Sequence, residues 1–195
     1  IILLNNNIFS QKVHYFEEKE LLRLMMNYGN ILIDVEGEDE DKVKHSIEMT
    51  IDEFIIMELC RDEIDFEDPI HQLIMDEFMH EISNERLPLL NYFVQHQNPA
   101  ISTFAISNAQ INYALSEKWG RFGVIITDEK NEVKKSAEHF LFSLKEKKLN
   151  TFILDLKEQL KEQAYEDVIK TQEKIMNLEQ NKKRINKLLG RIIIK

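Results

Sequence analysis

The sequence predicts an all-α protein in which a globular helical subdomain is followed by a long helix and a C-terminal helical hairpin. Only five glycines and three prolines occur in 195 residues, so turn signals are scarce and long helices are favoured over many short strands. Hydrophobic residues make up 43% of the chain, which is enough to build a buried core. Through most of the chain they recur three or four residues apart, as one face of a helix requires.

Formal charge is divided unevenly along the chain. Residues 1–128 contain 9 Lys and Arg against 24 Asp and Glu, a balance of −15, whereas residues 129–195 contain 16 against 11, a balance of +5. The sign changes after "WGRFGVIITD", Trp119 to Asp128, whose two glycines and β-branched run predict a loop or one short strand. We therefore predict a linker remnant over residues 1–15, a globular helical subdomain over 16–128 and a helical hairpin subdomain over 129–195.

The first predicted helix begins near Phe16, after an Asn-rich, aperiodic start that is typical of a linker. Gly29 follows the last apolar position of this helix and is a stop signal. Because the chain starts with Ile1 rather than Met, we expect it to be a piece of a longer protein. The apolar positions that share one face of the helix are Leu21, Leu22, Leu24, Met25 and Tyr28.

An acidic stretch, "DVEGEDEDK" from Asp34 to Lys42, predicts a solvated loop. It does not fit a calcium-binding loop, because the twelfth position counted from Asp34 is His45 rather than a bidentate Glu. Further helices are predicted to follow at short intervals. Their starts are marked by Ile51, by Asp68 as N-cap with Pro69 in the first turn, by Pro88 and by Pro99.

Two apolar stripes at helical spacing occupy the last third of the chain, with a weak break near Ala164–Tyr165–Glu166. Two long amphipathic helices with a short connection form an antiparallel hairpin. Such a hairpin buries only one face of each helix, so the remaining apolar positions need the first subdomain or a partner. The first stripe comprises Phe140, Leu141, Leu144, Leu149, Phe152, Ile153, Leu156 and Leu160; the second comprises Val168, Ile169, Ile175, Leu178, Ile185, Leu188, Leu189 and Ile192.

Motifs of common catalytic and metal sites are absent from the sequence. There is no Gly-rich phosphate loop, no Gly-x-Ser-x-Gly elbow and no His-Glu-x-x-His. Glu77 and His80 form one Glu-x-x-His pair, but a di-iron bundle needs two, so a solvated helix face is predicted there. The only cysteine, Cys60, lies in the apolar run "FIIMELC" and is expected to be a buried thiol. We therefore expect no catalytic, cofactor-binding or metal-binding residues in this chain.

A basic and apolar run, "NKKRINKLLGRIIIK" from Asn181 to Lys195, closes a chain whose formal net charge is −10. Binding to nucleic acid would place these cations on phosphates, but the run lacks interleaved aromatic residues and adjoins a strongly acidic neighbour. Binding to a membrane surface would require Trp or Phe on the apolar face, and none follows Phe152. Docking on another protein is the remaining function, with a solvated helix end as the alternative.

Four stretches carry a family resemblance: "EEKELLRLMMNYGN" (17–30), "DEFIIMELCRDEIDFEDPIHQLIMDEF" (52–78), "LSEKWGRFGVIIT" (115–127) and "KIMNLEQNKKRINKLLGRIIIK" (174–195). Together, in this order, they resemble the C-terminal helicase-binding domain of bacterial DnaG-type primases. The similarity extends from about Glu17 to the end of the chain, although residues 83–116 match only in pattern. It implies a globular helical subdomain followed by a helical hairpin, in agreement with the division of charge.

The resemblance implies that the chain docks on the N-terminal part of a replicative DnaB-type helicase hexamer and recruits primer synthesis to the replication fork. It implies that primer-making domains, with zinc and magnesium, lie upstream in the parent protein, which would be a DNA primase. This fragment is then expected to be inert as a polymerase, to take no cofactor, and to bind nucleic acid little.

A cytoplasmic location is expected, because no apolar stretch approaches the roughly 18 residues that span a membrane. The resemblance further implies a place in the replisome. A helical N-terminal module of the helicase itself and a metal- or ligand-binding helical bundle are the alternative functions. The residues expected to bind the partner, from the closing motif and helix-face geometry, are Lys182, Lys183, Arg184, Ile185, Lys187, Leu188, Leu189 and Arg191.

Overall fold

A computed structural model describes residues 14–38, 44–109, 129–161 and 165–190. These residues are mostly helical, with one small two-stranded sheet among them, which confirms the predicted all-α class. A 3₁₀ turn at Glu129–Glu132 precedes the long helices. In chain order the other elements are α1 (Tyr15–Tyr28), β1 (Leu32–Glu38), β2 (Lys44–Thr50), α2 (Ile51–Arg61), α3 (Pro69–Ser83), α4 (Leu90–Val94), α5 (Pro99–Asn108), α6 (Val133–Gln159) and α7 (Tyr165–Leu188).

Helix α1 lies at the centre of the main core. Four of its apolar side chains, Leu21, Leu22, Leu24 and Met25, are fully buried, as the predicted stripe requires. They pack with buried residues of α2, α3 and the first half of α6. Burying a side chain of this size contributes about 1.5–3 kcal/mol, so this helix is the main apolar anchor of the fold.

The acidic stretch after α1 is not only a loop, as the sequence suggested, because Asp34–Glu38 belongs to strand β1. This strand pairs antiparallel with β2 in a register that places Ile33 opposite Met49. Apolar and acidic residues alternate along β1, so that Ile33 is buried while its neighbours Leu32 and Asp34 are exposed. That period of two is typical of a half-buried strand, and it was the signal in the sequence for the hairpin.

The predicted helix starts are largely confirmed by their caps. Thr50 and Glu53 form a reciprocal capping box at the start of α2, and the Asp68 side chain accepts from the backbone of α3. Pro99 is the first residue of α5, and α4 begins two residues after Pro88. These caps orient α2 and α3, whose connection forms one wall of the cleft described below.

Helix α6 takes part in two separate apolar clusters. Its first half contributes Val133, Ala137, Leu141 and Leu144 to the main core. Its second half contributes two residues to a smaller cluster with α7, which begins at Tyr165, within the predicted break. The predicted domain boundary at residue 128 stays a prediction, because residues 110–128 lie outside the described part of the chain.

Cys60 is exposed, so the prediction of a buried thiol is wrong. The buried face of helix α2 is formed by Ile51, Phe54, Ile55 and Leu59. Successive residues of a helix are separated by about 100° around its axis, so the residue after Leu59 points away from the core. The apolar run in the sequence therefore includes residues, such as Cys60, that do not lie on the buried face of the helix.

A carboxyl group is buried where α1 meets α2. Asp52 is fully buried, and neither of its carboxyl oxygens has a hydrogen-bond partner among the described residues. The group lies against the Cα of Gly29, where an added Cβ would be 2.2 Å from both oxygens. Gly29 is therefore required by this close approach as well as by its position at the end of α1. Burial, together with the nearby charge of Glu53, raises the pKa of Asp52 well above its ordinary value.

The substitution Asp52→Asn is expected to make the protein more stable at pH 7. A carboxyl whose pKa is raised by folding contributes most below its unfolded pKa of about 3.9, and this contribution is lost as the pH rises through the folded pKa. Urea unfolding at pH 7 and near pH 4 should show a gain for the variant that shrinks at the lower pH. Equal or lower stability of the variant at pH 7 would show that Asp52 is stabilised as an ion.

Candidate protein-docking cleft

A cleft of about 730 Å³ lies between the connection after α2, the middle of α6 and the C-terminal part of α7. It is open at the surface and has an apolar floor between charged rims. Three sequence-distant parts of the chain therefore meet at one site. Its lining consists of Asp62, Glu63, Ile64, Asp65, Lys145, Lys148, Leu149, Phe152, Asn181, Arg184 and Ile185.

The first wall is a tight turn that ends α2. The backbone N–H of Ile64 donates to the carbonyl of Leu59 at 3.0 Å, and that of Glu63 donates to Cys60 at 3.2 Å. This pair of bonds is a Schellman motif, which usually has glycine at the left-handed position. Glu63 occupies that position with φ of 51°. A non-glycine residue in this conformation lowers the stability of the fold by about 1–2 kcal/mol. Glu63 therefore lies on the rim of the cleft in a strained backbone conformation.

The second wall, α6, is fixed to α2 by a buried ammonium group. Lys145 Nζ lies 2.7 Å from Glu58 Oε2 and 2.6 Å from Asp62 Oδ2. Only 6% of the Lys145 side chain and 10% of the Glu58 side chain are exposed. Burial opposes ionisation of Asp62, but the hydrogen bond from Lys145 and the charges of Lys145 and Arg61 outweigh it and lower the pKa of Asp62. This cluster keeps α6 at a defined distance from the turn.

A second set of polar contacts fixes α6 to α1. The buried carboxylate of Glu17 accepts from Ser143 at 3.1 Å and from Lys147 at 2.7 Å. Because Ser143 and Lys147 both lie near the middle of α6, the wall formed by this helix is held against α1. The cleft is thus rigid on two sides.

Helix α7, the third wall, is held more weakly. The ion pairs Lys157–Glu179 and Lys182–Glu146 show that it runs antiparallel to α6, as predicted. The first of these pairs is half exposed, and surface pairs of that kind contribute about 0–1 kcal/mol. Among the described residues, the small cluster between α6 and α7 buries three apolar side chains, Ile153, Leu156 and Ile175, with Leu160 and Leu178 partly buried against them. For helices of 27 and 24 residues this is a thin interface.

The residues predicted to bind a partner lie in different surroundings at the end of α7. Arg184 and Ile185 line the cleft, whereas Leu188 is 66% exposed outside it. Lys183 and Lys187 are exposed, and like Arg184 they form no ion pair within the described ranges. Lys182 is partly buried and lies 3.9 Å from Glu146, and Leu189 is also partly buried. Arg191 and the end of the apolar stripe lie outside the described residues.

Sequence reasoning missed the other side of the cleft. Leu149 and Phe152 had been assigned to the apolar stripe of α6, yet Phe152 is 42% exposed and Lys174 Nζ lies 4.9 Å from its ring centre. Lys145 interrupts that same stripe, and a cation at a core-facing position was the available signal of a buried ion pair. Nothing in the sequence pattern indicated which acidic residues would meet it.

A second polar centre lies where Glu18 of α1 meets the connection between α2 and α3. The fully buried carboxylate of Glu18 accepts from the backbone N–H groups of Glu67, at 2.7 Å, and Asp68, at 3.3 Å. His71 Nδ1 lies 2.9 Å from the same carboxylate, and its ring packs against Tyr15 and Phe104. Glu18 therefore fixes the connection between α2 and α3 from the side of α1.

No group of three or more His, Cys, Asp and Glu placed to hold a metal ion occurs among the described residues. The predicted solvated pair is only partly solvated, because Glu77 accepts a short hydrogen bond from the Tyr92 hydroxyl and lies 3.5 Å from His96. The bond to Glu77 and partial burial raise the pKa of Tyr92 to about 12. His80 is exposed. Within the described ranges no helix has the length and apolarity that crossing a bilayer demands.

Comparison with known proteins places this fold in a family. The model of a family described as a domain of unknown function, DUF8430, matches residues 8–193. No curated protein and no solved structure matches the chain. Since the match includes both the main core and the α6–α7 pair, with the cleft between them, the chain belongs to the DUF8430 family.

Proposed function

We propose that this chain is a protein-docking module whose binding surface is the C-terminal part of α7, with a replicative DnaB-type helicase as the partner. One observation carries the docking function. The end of α7 presents Lys183, Arg184 and Lys187, which form no ion pair with a described residue, beside the exposed Leu188, on a helix that is only thinly packed against α6. Cations around an apolar contact steer association, and the apolar contact supplies most of the affinity.

The charges around the site favour a protein over a nucleic acid or a membrane surface. Glu63 and Asp65 are exposed on the rim that faces α7, and a polyanion bound at the cations would be repelled by them. The exposed apolar residues on the described part of α7 are Ile169, Met176 and Leu188, without an aromatic anchor for a membrane interface. A folded partner can place charges of either sign where they are needed.

The choice of helicase rests on the resemblance to the helicase-binding domain of DnaG-type primases. The stretches that carry this resemblance include most of α1 and α2, the connection that forms the first wall of the cleft, and the second half of α7. In this proposal the fragment recruits an upstream primer-synthesising part to the replication fork. The fragment itself supplies the contact and no chemistry.

Leu188→Ala is expected to weaken binding to the replicative helicase about ten- to a hundredfold, since an interfacial Leu commonly contributes 1–3 kcal/mol. Because the side chain is 66% exposed, the fold should not change. Met176→Ala is the matched control, because Met176 is 61% exposed on the same helix but lies three turns earlier. Isothermal titration calorimetry measures the affinity of the wild type and of both variants for the helicase hexamer. Wild-type affinity for Leu188→Ala, with circular dichroism unchanged, would place the docking surface elsewhere.

Lys183→Glu is expected to have a smaller effect that depends on salt. An exposed cation acts mainly on the association rate, and its field is screened over about 8 Å at physiological ionic strength. Stopped-flow kinetics should show slower association of Lys183→Glu than of the wild type at low salt. At high salt the two association rates should become equal. A rate difference that does not change with salt would show that Lys183 makes a specific contact instead.

A further inference from the structure

The two rims of the cleft carry opposite charges. Glu63 and Asp65 lie on the turn after α2, and Arg184 lies on α7. All three are exposed, and none of them forms an ion pair with another described residue. The ammonium groups deeper in the cleft are already engaged, because Lys145 binds Glu58 and Asp62, and Lys148 lies 3.6 Å from Glu67. The charges available to a ligand are therefore negative on one rim and positive on the other.

Between these rims the floor is apolar. Ile64, Leu149 and Ile185 are partly buried, and Phe152 is 42% exposed. Burying apolar surface on binding contributes a favourable free energy of about 25 cal/mol per Å². The floor comes from three elements, so it is a shaped surface rather than the exposed stripe of one helix.

We infer that the cleft binds one amphipathic helical segment of a protein partner, with apolar side chains on the floor, carboxylates facing Arg184 and cations facing Glu63 and Asp65. The inference rests on the proposed function in taking a protein as the partner, and adds the secondary structure and the charge distribution of the bound segment. A helix is favoured over a strand because α6 and α7 form the walls, and a strand would need the unpaired edge of a sheet. The volume of about 730 Å³ accepts a row of side chains from one face of a helix.

The experiment is a selection from a library of displayed helical peptides on the immobilised full chain. Enriched peptides should share apolar residues at i, i+3 and i+4, with acidic residues on one flank and basic residues on the other. Phe152→Glu, in the floor, should weaken their binding at least about tenfold. Leu154→Glu is the matched control, because Leu154 is two residues away on α6, is 62% exposed, and does not line the cleft.

A charge reversal tests the charge distribution of the bound segment. Arg184→Glu should change the selected acidic flank to a basic one, whereas Lys170→Glu, which is exposed on the same helix outside the cleft, should leave the consensus unchanged. Peptides without charge polarity, or peptides whose binding survives Phe152→Glu, would overturn the inference. So would a dimer in sedimentation that Phe152→Glu dissociates, since a second copy would then occupy the cleft.

The helicase measurements separate this inference from the proposed function. If the helicase does not bind but the peptides select the cleft as described, the cleft inference stands and the partner was wrongly assigned. If Leu188→Ala weakens helicase binding but no cleft-dependent peptides are enriched, the docking function stands and the cleft inference falls.

Discussion

Replacing Glu18 with alanine is expected to lower the free energy of unfolding by about 3–5 kcal/mol, the usual result of breaking a buried charge cluster. The Glu18 carboxylate is fully buried and is the acceptor for two backbone N–H groups and for His71. Alanine would leave these donors without a partner in a place that water reaches poorly. The connection between α2 and α3, and with it the first wall of the cleft, would lose its attachment to α1.

The pH dependence of stability tests whether the Glu18 carboxylate is ionised in the folded protein. Burial opposes its ionisation, but the hydrogen bonds from His71 and from the backbone of Glu67 and Asp68 outweigh burial and lower the pKa of Glu18. A lowered pKa contributes stability above the unfolded value of about 4.3, and this is lost as the pH falls through the folded pKa. Urea unfolding from pH 7 down to about pH 3 should therefore show a shallower acid slope for Glu18→Gln than for the wild type. An unchanged slope would mean that Glu18 is neutral in the folded protein.

Lys145→Met is expected to destabilise the protein by about 2–4 kcal/mol, somewhat less than for a fully enclosed pair because water screens part of the site. Methionine retains the apolar stem but leaves Glu58 buried with only Arg61 beside it, and leaves Asp62 without its closest cation. The loss should be smaller at low pH, where protonated carboxyls no longer need the ammonium group.

Lys157→Met is the control for this variant, because Lys157 is on the same helix and pairs with Glu179 at a half-exposed site. Its effect should stay within about 0.5 kcal/mol, as is usual for surface pairs. Chemical denaturation of the two variants under the same conditions makes the comparison. Equal effects of the two substitutions would show that the buried ammonium group does not hold α6 to α2.

Helices were predictable because their buried faces repeat locally. The stripe of α1, the cap at Asp68 and the helix start at Pro99 depend on residues within one or two turns, so the sequence alone indicates them. The β-hairpin was missed because the acidic residues around Asp34 hid a short alternation. Cys60 was misplaced because an apolar run does not say which side of a helix faces the core.

The cleft could not be predicted because its residues meet only through tertiary packing. Asp62 and Lys145 are far apart in sequence, and their contact depends on how α6 crosses the end of α2. The end of α7 was predicted to bind a partner from its local mixture of cations and aliphatic residues, and this stays a prediction. Its relation to the turn at Glu63, which gives the site its second rim, required the fold.

Hydrogen–deuterium exchange on the full chain, alone and with the replicative helicase hexamer, tests the central claim most directly. Backbone amides of residues 181–189 at the end of α7 should exchange more slowly in the complex, because docking buries this surface and orders a thinly packed helix. Amides of α3, Pro69–Ser83, serve as the internal reference and should be unchanged. Slower exchange confined to α3–α5, or no change at residues 181–189 at saturating helicase, would contradict the account.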